Sequence, residues 1–117
     1  MKPKYPKDSD GDSLRQLAAD GNDMNSPMDV DFPVVIPAEI PAKKFASLAS
    51  SKGYNVHLWR HEDDGEWDVI CSRNMVPTYD DIVGIQKELS QLAKPLRGYC
   101  DSWGTFGNKA GAQPGAG

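Results

Sequence analysis

Carboxylates are the commonest chemistry-bearing groups in this chain. Three of them, Asp29, Asp31 and Asp68, alternate with apolar residues and would share a surface with His57. Clustered oxygens beside an imidazole suit a divalent cation, so a metal-dependent or other small enzyme built on this acidic face is one reading. A solvated acidic face that meets a basic partner is the other, and the remaining residues favour it. Asp8-Ser9-Asp10-Gly11-Asp12 superficially matches a calcium loop, but its glycine comes two positions early and Ala19 stands where the closing glutamate belongs. No Ser, Cys or Thr sits in a local pattern with a base and an orienting group, and no phosphate-binding glycine loop is present. No catalytic residue, metal ligand or cofactor is assigned, and the chain is read as a non-enzyme.

Two tryptophans are candidates for contact. Trp59 falls beside His57 on the face predicted to point outward, where an exposed indole is an unusual use of apolar surface. Trp103, inside Asp101-Ser102-Trp103-Gly104-Thr105-Phe106, either anchors a partner or packs over a helix end while Gly104 allows a bend. Asp101 could accept backbone donors in the same turn. His61 follows His57 by four residues but falls at a turn, and reads as a solvated loop residue.

The chain has 117 residues, with 13 basic against 17 acidic. Setting aside Lys2, Lys4, Lys7 and Lys109 leaves 9 basic and 17 acidic residues, a net charge of −8 over residues 8 to 106. Phosphate neutralisation needs clustered Lys and Arg, so direct nucleic-acid binding is not expected and a basic protein partner is. No apolar run approaches the roughly 18 to 20 residues of a bilayer span, and the Lys-rich start leads into polar Asp8-Ser9-Asp10 rather than an apolar signal core. A cytoplasmic protein without membrane association is expected.

These groups must be held by local elements. Residues 1–11 read as a flexible leader, 12–106 as a single domain, and 107–117 as a disordered Gly/Ala-rich tail. Asp12 or Ser13 can cap a short opening helix with Leu14, Leu17 and Ala18 on one face, closed by Gly21. Met28 to Val34 alternates as a strand, in which Pro33 must sit where its nitrogen needs no partner. Pro41 suits the first turn of a helix carrying Phe45, Ala46 and Ala49 and ending at Gly53. Tyr54 to Trp59 and Glu66 to Ser72 form a hairpin, and Thr78 precedes a helix with Ile82, Ile85, Leu89 and Leu92 in register that stops at Pro95. Leu96 to Phe106 reads as the final strand.

The order βαββαβ, preceded by a short helix, predicts an α+β, ferredoxin-like two-layer sandwich with an antiparallel four-stranded sheet in the order 4-1-3-2. Both helices then cover one face, and Asp29, Asp31, His57, Trp59, Asp68 and Ile70 point out of the other. Cys71 and Cys100 fall on strands separated by strand one. That gap of about 9 to 10 Å is too wide for a disulfide, so two free thiols are expected.

Leu17-Ala18-Ala19-Asp20-Gly21-Asn22-Asp23, Gly53-Tyr54 and Asp101-Ser102-Trp103-Gly104-Thr105-Phe106 resemble the bacterial regulators of ribonuclease E activity of the B type, over roughly residues 13 to 106. The last motif is the most specific. The resemblance implies a ferredoxin-like fold and inhibition of ribonuclease E by protein contact, modulating RNA decay, with Asp20, Gly21, Gly53, Tyr54, Asp101, Trp103, Gly104 and Thr105 as signature positions. It departs from the family in Ser102, where glycine is usual, and in a Gly/Ala-rich tail in place of a long acidic extension. Such endonucleases carry an Arg-rich scaffold, which an acidic domain complements. The contacts expected first are Asp29, Asp31, Trp59 and Asp68 on the open sheet, with Trp103 at its border. The oligomeric state is left open, a self-associating domain being a further alternative.

Overall fold

A computed structural model describes residues 5–109. Helix α1 (Ser9–Ala19) leads into strand β1 (Met28–Ile36), helix α2 (Glu39–Ser51), the hairpin of β2 (Asn55–Arg60) and β3 (Trp67–Met75), and helix α3 (Tyr79–Ala93). A 3-10 turn (Lys94–Leu96) then delivers two short strands, β4 (Tyr99–Cys100) and β5 (Gly104–Thr105). The sheet runs β2-β3-β1-β4 with β5 also on β1, antiparallel throughout. This is the α+β sandwich and the strand order expected from sequence, with the fourth strand in two pieces.

The interruption has a local cause. Between the Val34–Cys100 and Asp31–Gly104 pairs the outer chain carries one more residue than β1, and Ser102 takes up the excess in the left-handed region at φ 68°. Pro33 lies opposite this gap, where its carbonyl accepts from Asp101 N–H at 2.8 Å and its nitrogen has no bond to miss.

Burial along β1 alternates as far as Val34 because side chains alternate across a sheet, and Val35, on the opposite face, is buried as well. Val30, Phe32, Val34 and Ile36 are fully buried, while Asp29 is exposed and Asp31 and Pro33 are partly so. The buried set joins Val69 and Cys71 of β3, Phe45 and Ala49 of α2, and Ile82 and Leu89 of α3 in one core. Thr78 caps α3, its hydroxyl accepting from Asp81 N–H at 3.2 Å. Gly53, at φ 96°, ends α2 and lets Tyr54 N–H return to Ala49 carbonyl oxygen at 3.2 Å.

The opening helix starts earlier than its sequence suggested. Asp8, not Asp12 or Ser13, is the cap, its carboxylate accepting from Gly11 N–H at 2.8 Å. Residues 9 to 11, placed by sequence in the leader, therefore form the first turn. A side chain at Gly11 would collide with Pro6 carbonyl oxygen, so only glycine lets the preceding chain pack here. At the other end Gly107, Asn108 and Lys109, placed by sequence in the disordered tail, are held against the turn after α1, where Asn108 N–H donates to Asn22 Oδ1 and Lys109 Nζ to Asp20 carbonyl oxygen, both at 2.9 Å. Positions 1–4 and 110–117 lie outside the described residues.

Candidate functional site

With the core on one side of the sheet, the register fixes what the other side carries. Asp29 pairs with Asn74, Asp31 with Ser72, His57 with Ile70 and Trp59 with Asp68, and all of these share the face opposite the buried residues. A shallow groove of about 760 Å³ crosses it, bordered among others by Asp29, Asp31, His57, Trp59, Ile70 and Phe106. Trp59 is 67% exposed and Phe106 60%. Tyr99, paired with Val35, adds a third aromatic side chain at 53% exposure.

The carboxylates differ in their surroundings. Asp29 accepts from Asn74 Nδ2 at 2.9 Å and Asp31 from Ser72 Oγ at 2.6 Å, neutral donors that orient each group without cancelling its charge. Asp68 lies 2.9 Å from His61 Nε2. That hydrogen bond, followed by the attraction of Asp68, Asp64 and Glu66 for the imidazolium, holds His61 above the usual histidine range despite a smaller opposing desolvation. His61, read from sequence as a solvated loop residue, thus has a definite partner. Arg73 of β3 also lines the groove, but its guanidinium turns to the other side, 3.8 Å above the Tyr54 ring and donating to Lys52 carbonyl oxygen at 3.2 Å, and alternation places Arg60 there too. Among the described residues, β1, β2 and β3 turn no lysine or arginine onto the acidic face.

Trp103 does not border this face. Its indole turns into the helix layer, where Nε1 donates to Asp10 Oδ1 at 2.9 Å and Leu17 and Gln16 line a small cavity beside it. Gln86 of α3 donates to the same Asp10 oxygen at 3.2 Å, so one carboxylate ties α1, α3 and the β4–β5 connection together. Of the two roles the sequence allows Trp103, anchor or packing residue, the structure shows packing, over α1. The role of Asp10 is not legible in the sequence, because no local pattern links it to a residue 93 positions away.

The signature positions lie mainly in turns. Asp20 and Gly21, the latter at φ 97°, close α1. Asp101 serves its turn through its backbone N–H rather than by accepting bonds, and Thr105 Oγ1 donates to Asp29 carbonyl oxygen at 2.6 Å. Cys71 and Cys100 are free and lie on strands with β1 between them. Burial pushes both thiols up to about 12.

His57, Asp29 and Asp31, which an enzyme or metal reading needs together, do not form a ligand group. Among the described residues the one such group is His61, Asp64 and Glu66, with ligand atoms within 4.8 Å of one another on the hairpin turn. Its imidazole is already bonded to Asp68, and an acidic turn brings such oxygens together without any ion.

The architecture is that of a two-layer α+β sandwich with one face of its sheet left clear of helices. Residues 7–105 match the family model of the regulator of ribonuclease activity B, and the chain belongs to that family. No curated protein matches it. No helix among the described residues is long and apolar enough to cross a membrane.

Proposed function

We propose that the chain regulates a ribonuclease by docking on it as a protein, without catalysis and without touching RNA, and that the partner is ribonuclease E. The observation that carries this reading is the face bearing Asp29 and Asp31 on neutral donors, beside exposed Trp59 and Phe106, with no cation turned onto it from β1, β2 or β3. Carboxylates so placed repel the phosphates of an RNA strand and attract a guanidinium, which can also stack on an indole. The fitting occupant is a basic, Arg-rich segment of the ribonuclease. Family membership supports a ribonuclease as the class of target, and the charge pattern supports this mode of contact.

Retention of ribonuclease E on the immobilised chain, followed across salt concentration, tests this. Retention at low ionic strength that weakens as salt rises is the expected result. Failure to retain the enzyme even at low ionic strength defeats the proposal.

A further inference from the structure

The two edges of the sheet are treated differently. One is broken into β4 and β5, two residues each, with Ser102 between them. The other is β2, a continuous six-residue strand without proline or lysine and with a single charge, Arg60, at its end. Proteins blunt an open edge with charges, prolines, bulges or very short strands, because its unpaired backbone groups template another strand. β2 carries almost none of these devices.

Its free backbone groups can be named. His61 N–H donates to Glu66 carbonyl oxygen at 2.8 Å, which fixes the phase of the antiparallel ladder. By alternation, Asn55, His57 and Trp59 bond to β3, while the N–H and C=O of Val56, Leu58 and Arg60 point outward. Among the described residues, no loop or side chain bonds to those outward groups.

We propose that a second copy of this chain pairs with that edge, β2 against β2 across a two-fold axis, with Leu58 opposite Leu58 and Val56 opposite Arg60. In this register every outward N–H and C=O of both strands finds a partner. Of the two registers two residues away, one sets Arg60 against Tyr54, whose N–H is already bonded to Ala49 carbonyl oxygen, and the other sets Val56 against Glu62, beyond the end of β2. The odd residues agree, since Trp59 falls opposite His57 of the other copy, and non-hydrogen-bonded pairs bring side chains closest. Leu58, 37% exposed, meets its own symmetry mate on the helix side. Charge agrees as well, because the antiparallel crossing carries the exposed turn Glu62-Asp63-Asp64 past exposed Lys52 of the second copy. The result is one continuous sheet in which the two open faces adjoin. This inference does not depend on the ribonuclease reading.

Sedimentation equilibrium of the full chain over a wide concentration range tests it directly. The wild type should shift from the 12.8 kDa chain mass toward twice that value, and Leu58→Asp, which sets like charges opposite each other, should weaken association about tenfold or more. Leu58→Cys gives a reading that does not depend on weakening the interface. A hydrogen-bonded pair across the axis holds its Cα atoms about 5.5 Å apart, within disulfide range, so mild oxidation should link the copies much faster than in Lys87→Cys, on the exposed side of α3. A wild type that stays at chain mass at hundreds of micromolar, or equal cross-linking of the two cysteine variants, overturns the proposal.

Discussion

His61 and Asp68 form a charged pair at the hairpin end of the acidic face, and its energetics run with pH in a definite direction. The folded state holds the imidazolium above the ordinary 6.5 of histidine, so folding favours the protonated ring. The resulting stabilisation is complete below that ordinary value and is lost as pH rises through the folded one. Thermal midpoints should therefore fall between about pH 6 and pH 8 in the wild type, and His61→Gln should flatten that slope. A slope that survives the substitution assigns the effect elsewhere. Trp103→Phe keeps most of the apolar contact but leaves Asp10 without its indole donor. Denaturant titration should show about 1 to 2 kcal/mol of lost stability. The two thiols, pushed up to about 12 by burial, should resist alkylation at pH 8 in the native protein and react once it is unfolded.

At the scale of elements, the fourth strand depends on backbone contact that only glycine permits. A Cβ on Gly98 would lie 2.6 Å from Val35 carbonyl oxygen and 2.7 Å from Ile36 Cγ1, both fixed in the central strand. Gly98→Ala should cost about 1 to 3 kcal/mol in chemical denaturation, with hydrogen exchange rising first at Tyr99 and Cys100. A variant with wild-type stability would mean that β4 can shift without consequence. Such long-range contacts mark the boundary of what the sequence discloses. The strand order and the outward set Asp29, Asp31, His57 and Trp59 were legible, because alternation is a local property and Pro41, Thr78 and Gly53 punctuate the helices in conventional positions. The start of α1 was not, since Asp12 and Ser13 are as good caps as Asp8 by residue type. Only the packing of Gly11 against Pro6 selects among them. Nor was the direction of Trp103, which follows from a register slip that no periodicity announces. The aromatic share of the open face was underestimated for the same reason. Tyr99 lies in the two-residue β4 and Phe106 follows the two-residue β5, pieces whose alternation is too brief to read.

Over the whole molecule, a net charge of −8 between residues 8 and 106 would attract a basic partner from any side, so net charge alone cannot specify a docking site. What singles out the open face is the local arrangement. Asp29 and Asp31 sit next to exposed aromatic surface, whereas Arg15, Lys43 and Arg73 elsewhere are engaged by Asp12, Glu39 and Tyr54. A partner held by diffuse charge and one held by this face therefore respond differently to the same small change. Replacing both residues, Asp29→Asn with Asp31→Asn, removes two charges while each new amide can still accept from Asn74 or Ser72, so the fold should be preserved. Docking on the face predicts that this variant loses about tenfold or more in affinity for ribonuclease E and shows a shallower dependence on salt. A control that neutralises two exposed acids on α3, Asp80→Asn with Asp81→Asn, changes net charge equally at a distance from the face and should leave affinity within about twofold. If both double variants weaken binding to the same extent, attraction is diffuse and the face is not the site. If neither does, the carboxylates are bystanders, and the contact must be sought in the helix layer, where Trp103 and Asp10 lie.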